Sequence, residues 1–197
     1  MYEYRKLSQQ ERDEVLRYRI EKGYPLHAPP HPRKEDGCFM ITAANFEHKH
    51  ILVAPSRRSE FEALLLNSFN QTQIMIKAWS IMPNHYHLLV STNSFNQLPA
   101  MFRQLHGRTS FQWNRDDNTL GRKVWFKYSD RKIRTEDHFF AALNYIHHNP
   151  VKHGYVSAPE EWPWSSFHLY LQDYGNDWVE NQWEAFPVLD YGKGWDD

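Results

Sequence analysis

QIMIKAWSIMPNHYHLLVS, residues 73–91, is the stretch that decides the fold. Two apolar runs flank Pro83-Asn84, a dipeptide that marks a turn. Residues 73–82 read as one strand and 85–91 as its return, which makes a hairpin. Side chains alternate between the faces of a strand, so His85 and His87 point the same way. Tyr86, Leu88 and Val90 point the other way, where they can enter a core.

Working outward, CFMITAAN (38–45) is a short β-rich run, and RRSEFEALLLNSF (57–69) sets Phe61, Leu64, Leu65 and Phe69 at helical spacing. Downstream, 97–114 form an amphipathic helix with Leu98, Met101, Phe102, Leu105 and Phe111 near one face. KVWFKYSDRKI (123–133) supplies another strand. Thr135 caps a further helix, with Glu136 and Asp137 in the first turn, where acids suit the helix dipole. This helix runs to about His148, and Pro150 prevents its continuation. The order predicts an α+β fold: a ferredoxin-like βαββαβ core with an antiparallel sheet, plus an extra C-terminal helix outside that unit.

Residues 8–22 read as a helix opened by a capping box, Ser8 with Glu11 three residues on. YPLHAPPHPRKEDG (24–37) reads as an extended arm. The expected organisation is an N-terminal helix and Pro-rich arm at 1–37, a catalytic domain at 38–156, and a Trp-rich acidic tail at 157–197 to which no element is assigned.

The chain's 197 residues suit one domain, and 41% hydrophobic with 16% aromatic content excludes disorder throughout. Cys38 is the one cysteine, which excludes an intramolecular disulfide and points to a reducing compartment, the cytoplasm. The charged start has no apolar core of a signal peptide. No apolar run approaches the ~18 residues of a membrane span, so no membrane partner is expected. A monomer is the expected state.

The net charge of −1 hides an asymmetry: +6 over residues 101–134 and −9 over 135–197. Arg103, Arg108, Arg115, Arg122, Lys123, Lys127, Arg131, Lys132 and Arg134 form a basic stripe that could track a DNA backbone. Trp113 and Trp125, with Phe126 and Tyr128, interleave with it and could stack unpaired bases. A solvated helix face and ordinary core packing give the same pattern. Lys152 and His153 follow the last helix, where they could meet phosphate or sit in a solvated turn.

Two histidines on one strand face make a ready bidentate metal site. A second His-x-His, His48 and His50, sits in the polar run EHKH with no strand to aim it, and reads as a solvated loop. Tyr145 and Asn149 are one helical turn apart and share a face, beside the apolar stripe of Phe139, Leu143 and Ile146. A rim tyrosine and a C-capping asparagine would give the same pair.

AWSIMPNHYHLLV, YSDRKIRTEDHF, LNYIHHNPVKHGYV and EEWPWSSF, in this order, resemble the REP-associated tyrosine transposases, a branch of the HUH single-strand DNA transposases. The resemblance runs through about residues 38–170. It implies that His85 and His87 are the paired metal ligands. It also implies that Tyr145 is the nucleophile and that Asn149, where related enzymes often carry glutamine, completes the metal shell. The implied activity is cleavage and rejoining of hairpin-forming single-stranded DNA through a 5′-phosphotyrosine. The implied cofactor is a divalent ion, Mg²⁺ or Mn²⁺, with two nitrogens and one amide oxygen favouring Mn²⁺. A domesticated hairpin-binding protein that never cuts, or a hydrolytic metal-dependent phosphodiesterase, would carry many of the same residues.

Overall fold

The computed structural model describes residues 7–21, 36–70, 72–93, 95–189 and 191–192. Its elements are α1 (Gln9–Glu21), β1 (Gly37–Ala44), α2 (Pro55–Asn70), β2 (Met75–Ile81), β3 (His85–Thr92), α3 (Gln97–Asp116), β4 (Ser129–Ile133), α4 (Glu136–Lys152), α5 (Phe167–Tyr174) and α6 (Asn176–Ala185). The capping box opening α1 is formed: Ser8 N and Oγ both donate to a Glu11 carboxylate oxygen at 2.7 Å. Most of the Pro-rich arm lies outside the described residues.

The strands order as β2-β3-β1-β4, every pair antiparallel, as the split βαββαβ unit requires. The hairpin pairs Ser80 with His87 and Ile81 with Tyr86. Alternation then sorts the two faces. Phe39, Ile41, Tyr86, Leu88 and Val90 pack with Phe61, Leu65 and Phe69 of α2 and with Leu98, Phe102 and Leu105 of α3. Met40 and Leu89, on the opposite face, pack with Ala142, Leu143, Tyr145 and Ile146 of α4. Helices on both faces explain why β3 is buried along nearly its whole length.

Two expected boundaries shift. Regular pairing in the fourth strand begins at Ser129, not near residue 123. Before it, Trp125 makes an isolated bridge to Asn45, and its ring is drawn among Phe61, Tyr86, His106 and Trp113. The helix expected to stop at His148 instead passes through Pro150 to Lys152. The proline stands in the last turn, where one missing N–H removes a single helical bond, and His153 N still closes on Asn149 O at 3.0 Å. Tyr145, Asn149 and Lys152 therefore share one continuous helix.

The tryptophan-rich tail lies against β2. Ser165 bridges to Ser80, Ile81 N donates to Trp164 O at 2.9 Å, and Ser166 N donates to Trp79 O at 3.0 Å. The Trp162 indole donates to Ile81 O at 3.0 Å. Tyr170 of α5 and Trp178 of α6 then close over the α4 side of the sheet.

Candidate active site

His85 opens β3 directly after the turn, and His87 follows on the same face, with ring centroids 4.9 Å apart. Each ring is held from behind through Nδ1. His85 Nδ1 lies 2.7 Å from Asn84 Oδ1, and His87 Nδ1 lies 2.8 Å from Thr42 Oγ1 on β1. The far side of this pair meets α4. Asn149 Oδ1 is 3.1 Å from His85 Nε2, and the Tyr145 ring is 5.3 Å from the His87 ring between centroids. The His153 ring, one turn beyond Asn149, sits 5.1 Å from that of His85. The structure thus brings together His85, His87, Tyr145 and Asn149. Spacing in sequence pairs the two histidines on one strand face and Tyr145 with Asn149 on one helix face, and the packing of α4 on β3 joins the two pairs.

All four are buried: His85 2%, His87 0%, Tyr145 1% and Asn149 0% exposed. Lys152 Nζ donates to the Tyr145 hydroxyl at 3.4 Å and lies 5.0 Å from the ring centroid. Arg131 adds a second cation to this neighbourhood. It pairs with Met40 across β1 and β4 and so takes the α4 face; burial holds its guanidinium pKa below the ordinary value, and Tyr191 and Tyr145 offset part of that lowering. Tyr145 is roofed by Tyr191, 5.6 Å away between ring centroids, and by Gly192. Gly192 has φ +78°, and a Cβ there would overlap the Tyr145 ring. Its carbonyl also accepts from Lys152 Nζ at 3.3 Å.

Among the described residues, no cluster of three or more His, Cys, Asp or Glu forms a metal centre. The donor set here is two imidazoles and an amide oxygen. It fits a divalent ion: ligands bonded at ~2.1 Å and at right angles sit about 3 Å apart, the separation of Asn149 Oδ1 from His85 Nε2.

The basic stripe does not converge. Arg103, Arg108 and Arg115 are exposed on the outer side of α3, across the sheet from His85 and His87. Arg122 is committed to Asp117 at 2.7 Å. Lys123 lies over the Phe46 and Phe126 rings, 4.3 and 5.2 Å from their centroids. Lys132 pairs with Phe39 and takes the α2/α3 face, while Lys127 and Arg134 are exposed. Trp113 and Trp125 are 1% and 7% exposed, so they are core side chains, not open stacking platforms. The expectation failed there because buried and base-stacking aromatics have the same composition. Asn84 gave a turn signal and nothing more, although an asparagine next to a ligand-type histidine is a signal for a side-chain partner.

The family described as Transposase IS200 like matches residues 40–148, more than half of the chain. The chain is 33% identical over 119 residues to a REP-associated tyrosine transposase of Haemophilus influenzae, a match covering 51% of this chain and 64% of that protein. It is 29% identical over 111 residues to the REP-associated tyrosine transposase of Escherichia coli, covering 52% and 63%. The match thus spans a little less than two thirds of these curated relatives. The fold is similar to a solved REP-associated tyrosine transposase bound to a REP hairpin, with a TM-score of 0.59 at 18% identity, covering 74% of this chain and 86% of that one.

Proposed function

The chain belongs to the IS200-like transposase family, and on that premise we propose that it binds hairpin-forming single-stranded DNA and cleaves and rejoins it through Tyr145. The observation that carries this reading is the meeting of α4 with β3, which sets Tyr145 against His87 and Asn149 against His85. A phenol, with a reference pKa near ~10, is a poor nucleophile until its proton leaves. The Lys152 ammonium at the Tyr145 hydroxyl favours the phenolate. Tyr145 Oη attacks the phosphorus and its proton passes to solvent. The P–O3′ bond breaks as the new O–P bond forms, and the departing 3′ oxygen takes up a proton. A 5′-phosphotyrosine and a free 3′-OH result, and attack by an incoming 3′-OH reverses the step. His85, His87 and Asn149 would hold Mg²⁺ or Mn²⁺, which when bound offsets charge developing on the phosphate. Arg131 supplies a fixed positive charge on the same face.

A second reading, hairpin binding without cleavage, rests on the roof over Tyr145. With the ring 1% exposed, DNA reaches the hydroxyl when the Tyr191–Gly192 segment moves aside. One experiment separates the two. Labelled hairpin DNA built from inverted repeats flanking the protein's own gene is incubated with protein and Mn²⁺, then denatured. A covalent adduct is expected with wild type and with Tyr86→Phe, and none with Tyr145→Phe. An adduct that survives Tyr145→Phe overturns the nucleophile assignment. Tight binding with no adduct from wild type supports the binding reading.

A further inference from the structure

Asn84 is more than a turn residue. Its Nδ2 donates to the His48 carbonyl at 3.3 Å, which fixes the orientation of the amide. Its Oδ1 therefore faces His85 Nδ1, at 2.7 Å. An amide oxygen accepts and cannot donate, so a ring nitrogen bonded to one must carry the hydrogen. Both ring nitrogens face an amide oxygen, and a neutral imidazole has one N–H to give; the shorter contact, to the anchored Asn84, takes it. This leaves the Nε2 lone pair and Asn149 Oδ1 facing each other at 3.1 Å, two acceptors that a cation between them reconciles. The turn that carries Asn84 is itself pinned: Asn45 N donates to Asn84 O at 2.7 Å, and Leu52 N to Pro83 O at 2.8 Å.

The carbonyl that orients Asn84 comes from an unusual backbone. Glu47 and His48 are consecutive non-glycine residues with φ of 58° and 50°. Left-handed backbone is unfavourable for residues with a Cβ, and such outliers cluster where surrounding structure needs them. The EHKH run thus contributes at this point through a main-chain oxygen.

We propose that Asn84, oriented by the His48 carbonyl, is a positioning residue that keeps the hydrogen of His85 on Nδ1 and so aims the Nε2 lone pair at a divalent cation shared with His87 and Asn149. The proposal rests on the metal-binding reading above. Partners of this kind fix the tautomer and ring orientation of a ligating histidine, and their loss costs about 10–100-fold in metal affinity.

The test uses the full chain without DNA and Mn²⁺ alone as probe. Affinity is measured by titration calorimetry, and the His85 tautomer by nitrogen-15 NMR of the metal-free protein. Wild type is expected to show His85 protonated on Nδ1. Asn84→Ala is expected to bind Mn²⁺ about 10–100-fold more weakly and to lose that tautomer, with its thermal unfolding still cooperative. Asn84→Asp, whose carboxylate can also accept from Nδ1–H, is expected to keep the tautomer and bind more tightly than Asn84→Ala. Wild-type His85 protonated on Nε2 overturns the proposal without any variant. Unchanged affinity and tautomer in Asn84→Ala also overturn it, while leaving the metal reading intact as long as His87→Ala abolishes binding. Failure of wild type to bind Mn²⁺ at all sinks the metal reading first and this proposal with it.

Discussion

Each face of the sheet holds a buried tyrosine in ring contact with a histidine, and the two pairs differ in everything but composition. On the α2/α3 face, the Tyr86 hydroxyl lies 2.8 Å from His106 Nε2, and the His106 ring stacks on Trp125 at 4.5 Å between centroids. Burial pushes the Tyr86 phenol well above its ordinary range and the His106 imidazolium down to about 3. Both groups are held neutral, and each satisfies the other. On the α4 face, Tyr145 turns an edge toward His87, while its hydroxyl takes a hydrogen bond from Lys152 and has Arg131 nearby. Burial alone therefore does not tell the two tyrosines apart. What separates the pairs is the Lys152 ammonium at the Tyr145 hydroxyl and the Tyr191 ring and Gly192 backbone laid over the Tyr145 ring.

That comparison can be broken most directly at the histidines. His87→Ala is expected to lower adduct formation by about 10³-fold or more, the loss of several kcal/mol of charge stabilisation, while hairpin affinity measured by gel shift changes little. His106→Ala should leave adduct formation per folded molecule intact and cost about 1–3 kcal/mol in urea unfolding, because the Tyr86 hydroxyl loses its buried partner. Equal effects on activity from the two variants would erase the distinction.

Lys152 is the next test. Lys152→Ala is expected to slow adduct formation about 10²-fold in single-turnover assays, with Lys152→Arg recovering part of the rate. No change would reduce Lys152 to a tether for the Gly192 carbonyl.

A smaller effect, common to both faces, follows from acid. His106 and His147 both have imidazoles pushed down to about 3 by burial, below the ordinary 6.5. Between these values the unfolded chain binds protons that the folded chain refuses, so stability is full above about pH 6.5 and falls as pH drops toward 3. Each histidine adds about 1.4 kcal/mol per pH unit to that slope. Chemical denaturation at several pH values should show the slope reduced in His147→Asn, which keeps a polar partner for Ser166.

The smallest expected difference concerns DNA. Arg131→Ala, on the Tyr145 face, should lower the salt dependence of hairpin binding by about one unit in the log–log slope. Arg108→Ala, on the outer side of α3, should not change it. The reverse result would place the DNA on the helical face of the α2/α3 layer.

The legible part of this site followed from short periods. Period two placed His85 and His87 together and sent Tyr86 across the sheet, and period 3.6 put Tyr145 and Asn149 on one side of a helix. Partners supplied by other segments were not legible. Thr42 faces His87 because β1 pairs Thr42 with His87, 45 residues away, and the His48 carbonyl reaches Asn84 across 36 residues. Trp125 stayed ambiguous because a tryptophan between basic residues suits either a groove or a core, and burial decides for the core. Pro150 was misread because its penalty depends on how many turns follow it, and here the helix ends two residues later. The tail was opaque because its order comes from backbone bonds to β2, more than 80 residues earlier in the chain.

Those bonds bear on how the molecule meets copies of itself. A strand at a sheet margin normally offers a row of open backbone donors and acceptors to any passing chain. Along the second half of β2 that row is occupied by residues 164–166 of the same chain. At the opposite margin, β4 is five residues long and carries Asp130, Arg131 and Lys132. One border is half covered by the chain's own main chain and the other is kept short and charged, so assembly by strand addition is disfavoured along Trp79–Ile81 and at β4.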